Sequence, residues 1–169
     1  MKQHQTITIW YLETTHPREL NSTVITDPSF MIIESQIKSF AFNRFLYSLV
    51  GRNWHWADKL SWTDNQWEEY VNNNLRTWVA YKNGTPAGYY ELIKSSDHTI
   101  EIAYFGLTPD FIRQGFGSGL LSYAIQSAWD WNAEKIIVST CSEDHPNALN
   151  NYRNRGMRIY RETVTERKG

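Results

Sequence analysis

The residues best suited to chemistry in this chain are Gly115, Phe116, Gly117, Ser118 and Gly119, a glycine-spaced run between a strand-like and a helix-like segment. Such a loop suits an anion. The N-terminus of a helix offers unpaired backbone N–H groups and the positive end of the helix dipole. Glycine lets a phosphate reach that backbone where a side chain would hold it off. Three phosphate loops come into question, and two fail on spacing. An ATP-type loop ends in Gly-Lys-Ser/Thr, whereas Gly119 is followed by Leu120 and Leu121. A dinucleotide fingerprint needs a third glycine where Leu120 stands, and the strands ahead of the run read as antiparallel rather than as a βαβ unit. What remains is a loop that wraps a pyrophosphate at the start of the next helix. The plainer alternative is a strand-to-helix turn packed through small residues.

Such a loop has to be held by a sheet on one side and a helix on the other. The alternation of Thr6, Ile7, Thr8, Ile9 and Trp10 predicts a first strand ending near Leu12. Asp27, Pro28 and Ser29 predict a helix start. Phe30, Ile33, Ile37, Phe40, Phe45 and Leu49 follow at mixed three- to five-residue spacing, with Gly51 as the stop. A second helix begins after Ser61 or Thr63 as N-cap and carries Trp67, Tyr70 and Val71 on one side. Residues 76–82 and 86–94 form a hairpin through Asn83-Gly84, and residues 99–107 return after Asp97-His98. After the glycine run, Leu120, Leu121, Ala124, Ile125, Ala128 and Trp129 mark one helix face. Residues 135–140 read as a short buried strand. Asp144-His145-Pro146 opens a helix that Gly156 stops, and residues 157–163 form the last strand. The expected order is β, α, α, β, β, β, α, β, α, β in one domain over residues 1–169.

Composition narrows the function. A chain of 169 residues, 41% hydrophobic and 21% charged, is expected to fold around a single core. A net charge of -1 leaves no basic excess, so no nucleic acid partner is expected. No apolar run approaches the ~20 residues of a membrane span. Residues 1–8 are polar and lack the order of a secretory signal, and a cytoplasmic location without membrane attachment is the expectation. The single cysteine, Cys141, reads as a small hydrophobe, and the five His show no metal-ligand spacing, so no metal is expected. Of the eight Trp, five lie within residues 54–78. They read either as a core of large side chains or as a cleft wall for an apolar or cationic ligand.

Residues 107–121, from Leu107 and Pro109 through the glycines to Leu121, resemble the acetyl-CoA-binding signature of the GCN5-related N-acetyltransferase (GNAT) superfamily. That signature reads Arg/Gln-x-x-Gly-x-Gly/Ala between a strand and a helix. Counted from Pro109, its basic or Gln position falls on Ile112, a departure. A register starting at Gln114 matches the letters but breaks the spacing to Pro109 and to Leu120-Leu121. Asn147-Ala148-x-x-x-Tyr152-x-x-x-Gly156-Met157 looks like the family's closing motif, with Met157 where Phe is usual. The resemblance covers residues 76–161. It implies an α/β fold with a mixed, mostly antiparallel central sheet flanked by helices, and a V-shaped opening between two central strands. It also implies transfer of an acetyl group from acetyl-CoA, as co-substrate, to a primary amine on a small molecule or a peptide. Cofactor contacts would come from Leu107, Ile112, Arg113, Gln114, Gly115, Phe116, Gly117, Ser118 and Gly119, with Asn147 and Asn151 reaching the pantetheine arm. Ile112 would offer only its backbone N–H. A homodimer stays open.

Acetyl transfer to an amine needs a neutral amine, a donor for the carbonyl oxygen and a proton for the departing thiolate. The resemblance gives the last role to Tyr152, whose phenol, with a pKa of ~10, is protonated at neutral pH. It places the oxyanion donor at a backbone N–H near Leu107. Glu101 is the first choice as base. Its spacing to Leu107 is similar to that in the histone-acetyltransferase branch, and sharing a strand face with Ala103 and Phe105 would raise its pKa by desolvation. A solvent-facing or ion-paired carboxylate is the plainer reading. Glu91 is the second candidate, and His145 beside Asp144 reads either as a base or as part of a helix start. The acceptor would enter beside residues 30–75. The alternative function is a non-catalytic acyl-CoA-binding sensor or assembly module.

Overall fold

A computed structural model describes residues 5–167; the first four residues of the polar N-terminal stretch lie outside the described part. Seven strands form one sheet: β1 (Gln5–Thr14), β2 (Phe30–Glu34), β3 (Leu75–Lys82), β4 (Thr85–Lys94), β5 (Thr99–Leu107), β6 (Lys135–Cys141) and β7 (Arg158–Arg167). Their order across the sheet is β2-β3-β4-β5-β6-β1-β7. Every neighbouring pair is antiparallel except β5 and β6, which run parallel. The helices are α1 (Phe40–Gly51), α2 (Asp64–Asn72), α3 (Gly117–Asp130) and α4 (Ala148–Asn154). The mixed, mostly antiparallel sheet flanked by helices is the architecture expected from the sequence.

One element differs in kind. Residues 30–34, expected as the start of a long helix, are strand β2, paired from Phe30↔Lys82 to Glu34↔Trp78. Asp27 explains the difference. Its carboxylate accepts the N–H and hydroxyl of Ser29, at 2.9 and 2.6 Å, and the Lys82 ammonium at 2.7 Å. This Asx turn aims the chain along β3 instead of into a helix. The first strand also runs two residues past Leu12, to Thr14. Thr63, not Ser61, caps α2: it forms a capping box with Gln66, bonded at 2.8 and 3.3 Å.

The sheet separates two packed layers. Leu92, Ile100 and Ile102 face α3 and its Leu120, Leu121 and Ile125. Val79 and Tyr89 face α1 and its Leu46 and Val50. Gly156 ends α4 at φ 104°, where an added Cβ would lie 1.9 Å from the Glu19 carbonyl oxygen. Only glycine fits both the angle and the space.

Candidate functional site

The parallel partners β5 and β6 keep register over three residue pairs, Thr99↔Lys135, Ile100↔Ile136 and Glu101↔Ile137. Beyond them the strands part. A cleft of about 920 Å³ opens there, lined by β5, β6, the loop ahead of α3, α4 and the loop between α1 and α2. Because it lies between two strands, it reaches from one face of the sheet to the other.

The α3 end of the cleft has the chemistry that suits an anion. Helix α3 starts at Gly117 with no side-chain cap among the described residues. The N–H of Leu120 bonds to Phe116 O at 2.9 Å, so the N–H groups of the turn before it face out of the helix end. Arg113 and Gly115 take positive φ, 66° and 85°, in the loop that leads there. Leu107, Ile112, Arg113, Gly115, Gly117 and Ser118 line the cleft. Thr108 donates its N–H to Ala87 O on the β4 side at 2.8 Å. Successive N–H groups alternate between the edges of a strand, so that of Leu107 faces the side β6 has left.

Several expected contacts are placed differently. The Ile112 N–H turns back to Pro109 O at 3.4 Å, inside a short 3₁₀ turn, although the residue lines the cleft. Gln114 donates to Asp110 O at 2.9 Å and does not line the cleft. Phe116 is buried and stacks on Phe30 with ring centroids 4.3 Å apart. Gly119 is small for packing reasons: a Cβ there would lie 2.2 Å from Ile25 Cγ1. Of the five residues in the glycine run, Gly115, Gly117 and Ser118 reach the cleft.

Helix α4 supplies the opposite wall. Asn147, Asn151 and Tyr152 line the cleft, and Asn151 Nδ2 donates to Gly117 O at 3.1 Å, tying α4 to the start of α3. Tyr152 is buried, with its ring edge-on to Phe105 at 6.2 Å. Burial first, and then the charge of Asp144, push its phenol above the ordinary value. His145 and Asp144 do not form a pair. The His145 Nδ1 accepts the Asn147 N–H at 3.0 Å, while Asp144 accepts the Thr140 hydroxyl and the Cys141 N–H. Trp54 meets the His145 ring edge-on at 5.1 Å, joining the α1–α2 loop to the β6–α4 segment at the cleft.

The remaining end lies on the α1–α2 side. Ala103 has no partner on β4: Tyr104 pairs with Glu91 and Ile102 with Leu92. This bulge puts Glu101 on the face of Tyr104, Ile93 and Glu91, and Phe105 on the other, correcting the expectation that Glu101 and Phe105 share a face. Glu101 remains exposed as a residue, while its carboxyl lies in the cleft. Desolvation there raises it above the usual carboxylate value, and the Lys59 charge works the other way. Glu91 is buried and does not line the cleft; it accepts Tyr70 OH at 2.6 Å and Asn43 Nδ2 at 2.8 Å. Among the five clustered Trp, Trp67 and Trp78 are buried and Trp54 and Trp56 line the cleft. The indole of Trp56 packs directly on Gly51, where an added Cβ would lie 2.5 Å from the ring.

Sequence reasoning missed Asp58, Lys59 and Tyr104 as a unit. Lys59 Nζ donates to Asp58 Oδ2 and to Tyr104 OH, both at 2.9 Å. Asp58 carries acidic character legible in the sequence, but nothing there announces its partners on β5.

A family model described as Acetyltransferase (GNAT) family matches residues 42–157. No curated protein matches the chain. Among solved structures, a GCN5-related N-acetyltransferase from Sphaerobacter thermophilus superposes with a TM-score of 0.72 at 15% identity, covering 98% of this chain and 52% of that one. One from Kribbella flavida gives 0.68 at 16% identity, covering 96% and 60%. An aminoglycoside acetyltransferase from an uncultured soil metagenomic sample, in complex with trehalose, gives 0.61 at 18%, covering 76% and 88%. The chain thus spans 60% or less of the first two proteins' length. At these identities the likeness shows the fold.

Proposed function

The chain belongs to the acetyltransferase (GNAT) family, and from that premise we propose that it transfers an acetyl group from acetyl-CoA to a primary amine. The observation that carries the proposal is the parting of β5 from β6 beside the uncapped start of α3. The residues present fit the co-substrate. Gly117 leaves open space, with the nearest atoms to an added Cβ 3.8 Å away, and the helix-end N–H groups suit a pyrophosphate. Arg113, Asn147 and Asn151 line the same end. When bound, acetyl-CoA supplies the activated acyl group as a thioester.

The chain's own groups then divide the work. Glu101 takes a proton from the acceptor's ammonium on the α1–α2 side, leaving a neutral amine to form the new C–N bond. The Leu107 N–H donates to the carbonyl oxygen as it gains charge. The C–S bond breaks, Tyr152, held protonated by burial, gives its proton to the thiolate, and the second proton shed by the nitrogen as it becomes an amide restores the phenol. Glu101 and Tyr152 reach the cleft from opposite faces of the sheet, which suits an acceptor and a thiol entering from opposite sides.

The test is release of free CoA from acetyl-CoA against a panel of amines, peptides and aminoglycosides. Turnover with at least one acceptor, lost in the Tyr152→Phe variant, is the expected result. Tight acetyl-CoA binding without turnover against any acceptor would instead mark a binding module. Acetyl-CoA at 100 times its Kd should raise stability by about 2.7 kcal/mol, and the absence of any thermal shift or binding heat would remove the co-substrate from the reading.

A further inference from the structure

The acceptor end of the cleft already contains an ammonium. Lys59 leaves the α1–α2 loop and ends with its Nζ 4.5 Å from the ring centre of Trp62 and 4.9 Å from those of Tyr70 and Tyr104. Two of its protons are directed to Asp58 Oδ2 and Tyr104 OH, and the surrounding π faces suit the third. Its side chain is only 11% exposed. Asp58 is equally occupied: Tyr47 OH donates to Oδ1 at 2.8 Å, and Tyr104 OH joins Lys59 on Oδ2 at 2.5 Å. The cage is assembled from α1, α2, β5 and the loop between the two helices. A carboxylate, a phenol and three aromatic faces make up a receptor for an alkylammonium ion, and here the chain fills it itself.

The other charges of the cleft sharpen the point. Three carboxylates line it, Asp58, Glu101 and Asp144. Asp144 accepts the Thr140 hydroxyl at 2.6 Å and the Cys141 N–H at 2.9 Å. Glu101 is the one with no hydrogen bond or ion pair to another described residue. An entering amine therefore meets a single open carboxylate, a fixed positive charge beside it, and the indole walls of Trp54 and Trp56.

We propose that Lys59 is a specificity-determining residue: it plugs a second cation site and restricts the acceptor to amines with one positive charge on an aromatic or apolar body, turning away diamines and polyamines. The proposal rests on the acetyl-transfer reading for the identity of this end as the acceptor side. A second ammonium would have to displace Lys59 from four partner residues, Asp58, Trp62, Tyr70 and Tyr104, or lie beside a like charge in a partly desolvated cleft; either is unfavourable.

The experiment compares phenethylamine, which carries one charge, with putrescine, which carries two. Wild type, Lys59→Met, Lys59→Gln and Lys59→Arg are measured for CoA release and, with CoA present, for amine binding by calorimetry. The readout is the ratio of putrescine to phenethylamine in kcat/KM and in Kd, which a merely destabilised variant does not shift. Wild type should favour phenethylamine. Lys59→Met and Lys59→Gln should move the ratio toward putrescine by about tenfold or more, and Lys59→Arg should hold it near wild type. A wild type that takes both amines equally, a ratio unmoved by removal of the charge, or no amine binding at all would overturn the proposal. Binding that shows the preference and its shift without turnover would sustain Lys59 as the selector and overturn acetyl transfer. Turnover without the preference would do the reverse.

Discussion

Glu101 and Phe105 lie on one strand and point to opposite faces of the sheet, because the unpaired Ala103 between them resets the alternation. A single strand thereby serves both compartments of the cleft. Glu101 faces the α1–α2 side with Tyr104, and Phe105 faces Tyr152 on α4.

The proposed role of Glu101 as the base sets an expected pH dependence of turnover. A base acts in its deprotonated form, so kcat/KM should fall as pH drops through the Glu101 pKa. Desolvation raises that value above 4.5, against the pull of Lys59, so the limb lies above the ordinary carboxylate range. Glu101→Gln should remove the limb and lower kcat at neutral pH about 100-fold, measured as CoA release across pH. A limb that persists in the variant would take the role from Glu101.

Tyr152→Phe should separate chemistry from folding. Its hydroxyl makes no hydrogen bond to another described residue, so its loss should change stability by less than about 1 kcal/mol. The kcat should nonetheless fall about 100-fold, with acetyl-CoA Kd nearly unchanged. Since burial holds the phenol above 10.0, the alkaline limb of the wild-type profile below that pH should not belong to Tyr152. Stopped-flow thiol release and calorimetric Kd values check both halves.

Two glycines in one run should fail in different ways. At Gly117 a Cβ meets only Asn151 Nδ2 and Leu107 Cδ1, each at 3.8 Å. Gly117→Ala should keep or slightly raise Tm while weakening acetyl-CoA binding about tenfold, as a methyl group stands off the pyrophosphate. At Gly119 the Cβ meets Ile25 at 2.2 Å. Gly119→Ala should cost about 1–3 kcal/mol of stability from overpacking. Thermal melts and calorimetry on the two variants should show opposite patterns.

Glu91 sets a pH dependence of stability. Burial raises its pKa above 4.5, with Tyr70 and Asn43 opposing the shift. A carboxyl with a raised folded pKa binds its proton more tightly in the native state. Its contribution is therefore full below the unfolded value and lost as pH rises through the folded one. Tm should carry a downward component as pH rises above 4.5, and Glu91→Gln should flatten that component in a pH series of melts.

Much of this arrangement was legible beforehand. Asn83-Gly84, Gly156 and the spacing of residues 107–121 each announced a local geometry that backbone sterics dictate, and the strands and helices around them follow. The misread segment, residues 30–34, is a short apolar run, where periodicity does not separate an edge strand from a helix. Ser29 and Lys82 decided it through Asp27, and Lys82 lies far along the chain. The Ala103 bulge was equally invisible, being a property of register with β4. The cage around Lys59 joins residues from three elements and a loop, so no local pattern could reveal it.

The short register between β5 and β6 has a further consequence. The sheet resembles a seam stitched at one end only: two wings, β2 to β5 and β6 with β1 and β7, share three rungs of backbone pairing. On its β4 side the strand β5 is laced nearly throughout, while on the other its later amides answer only to whatever occupies the gap. Occupancy should therefore register as slowed amide exchange at alternate residues along one edge of a single strand. A molecule lodged there braces both wings at once.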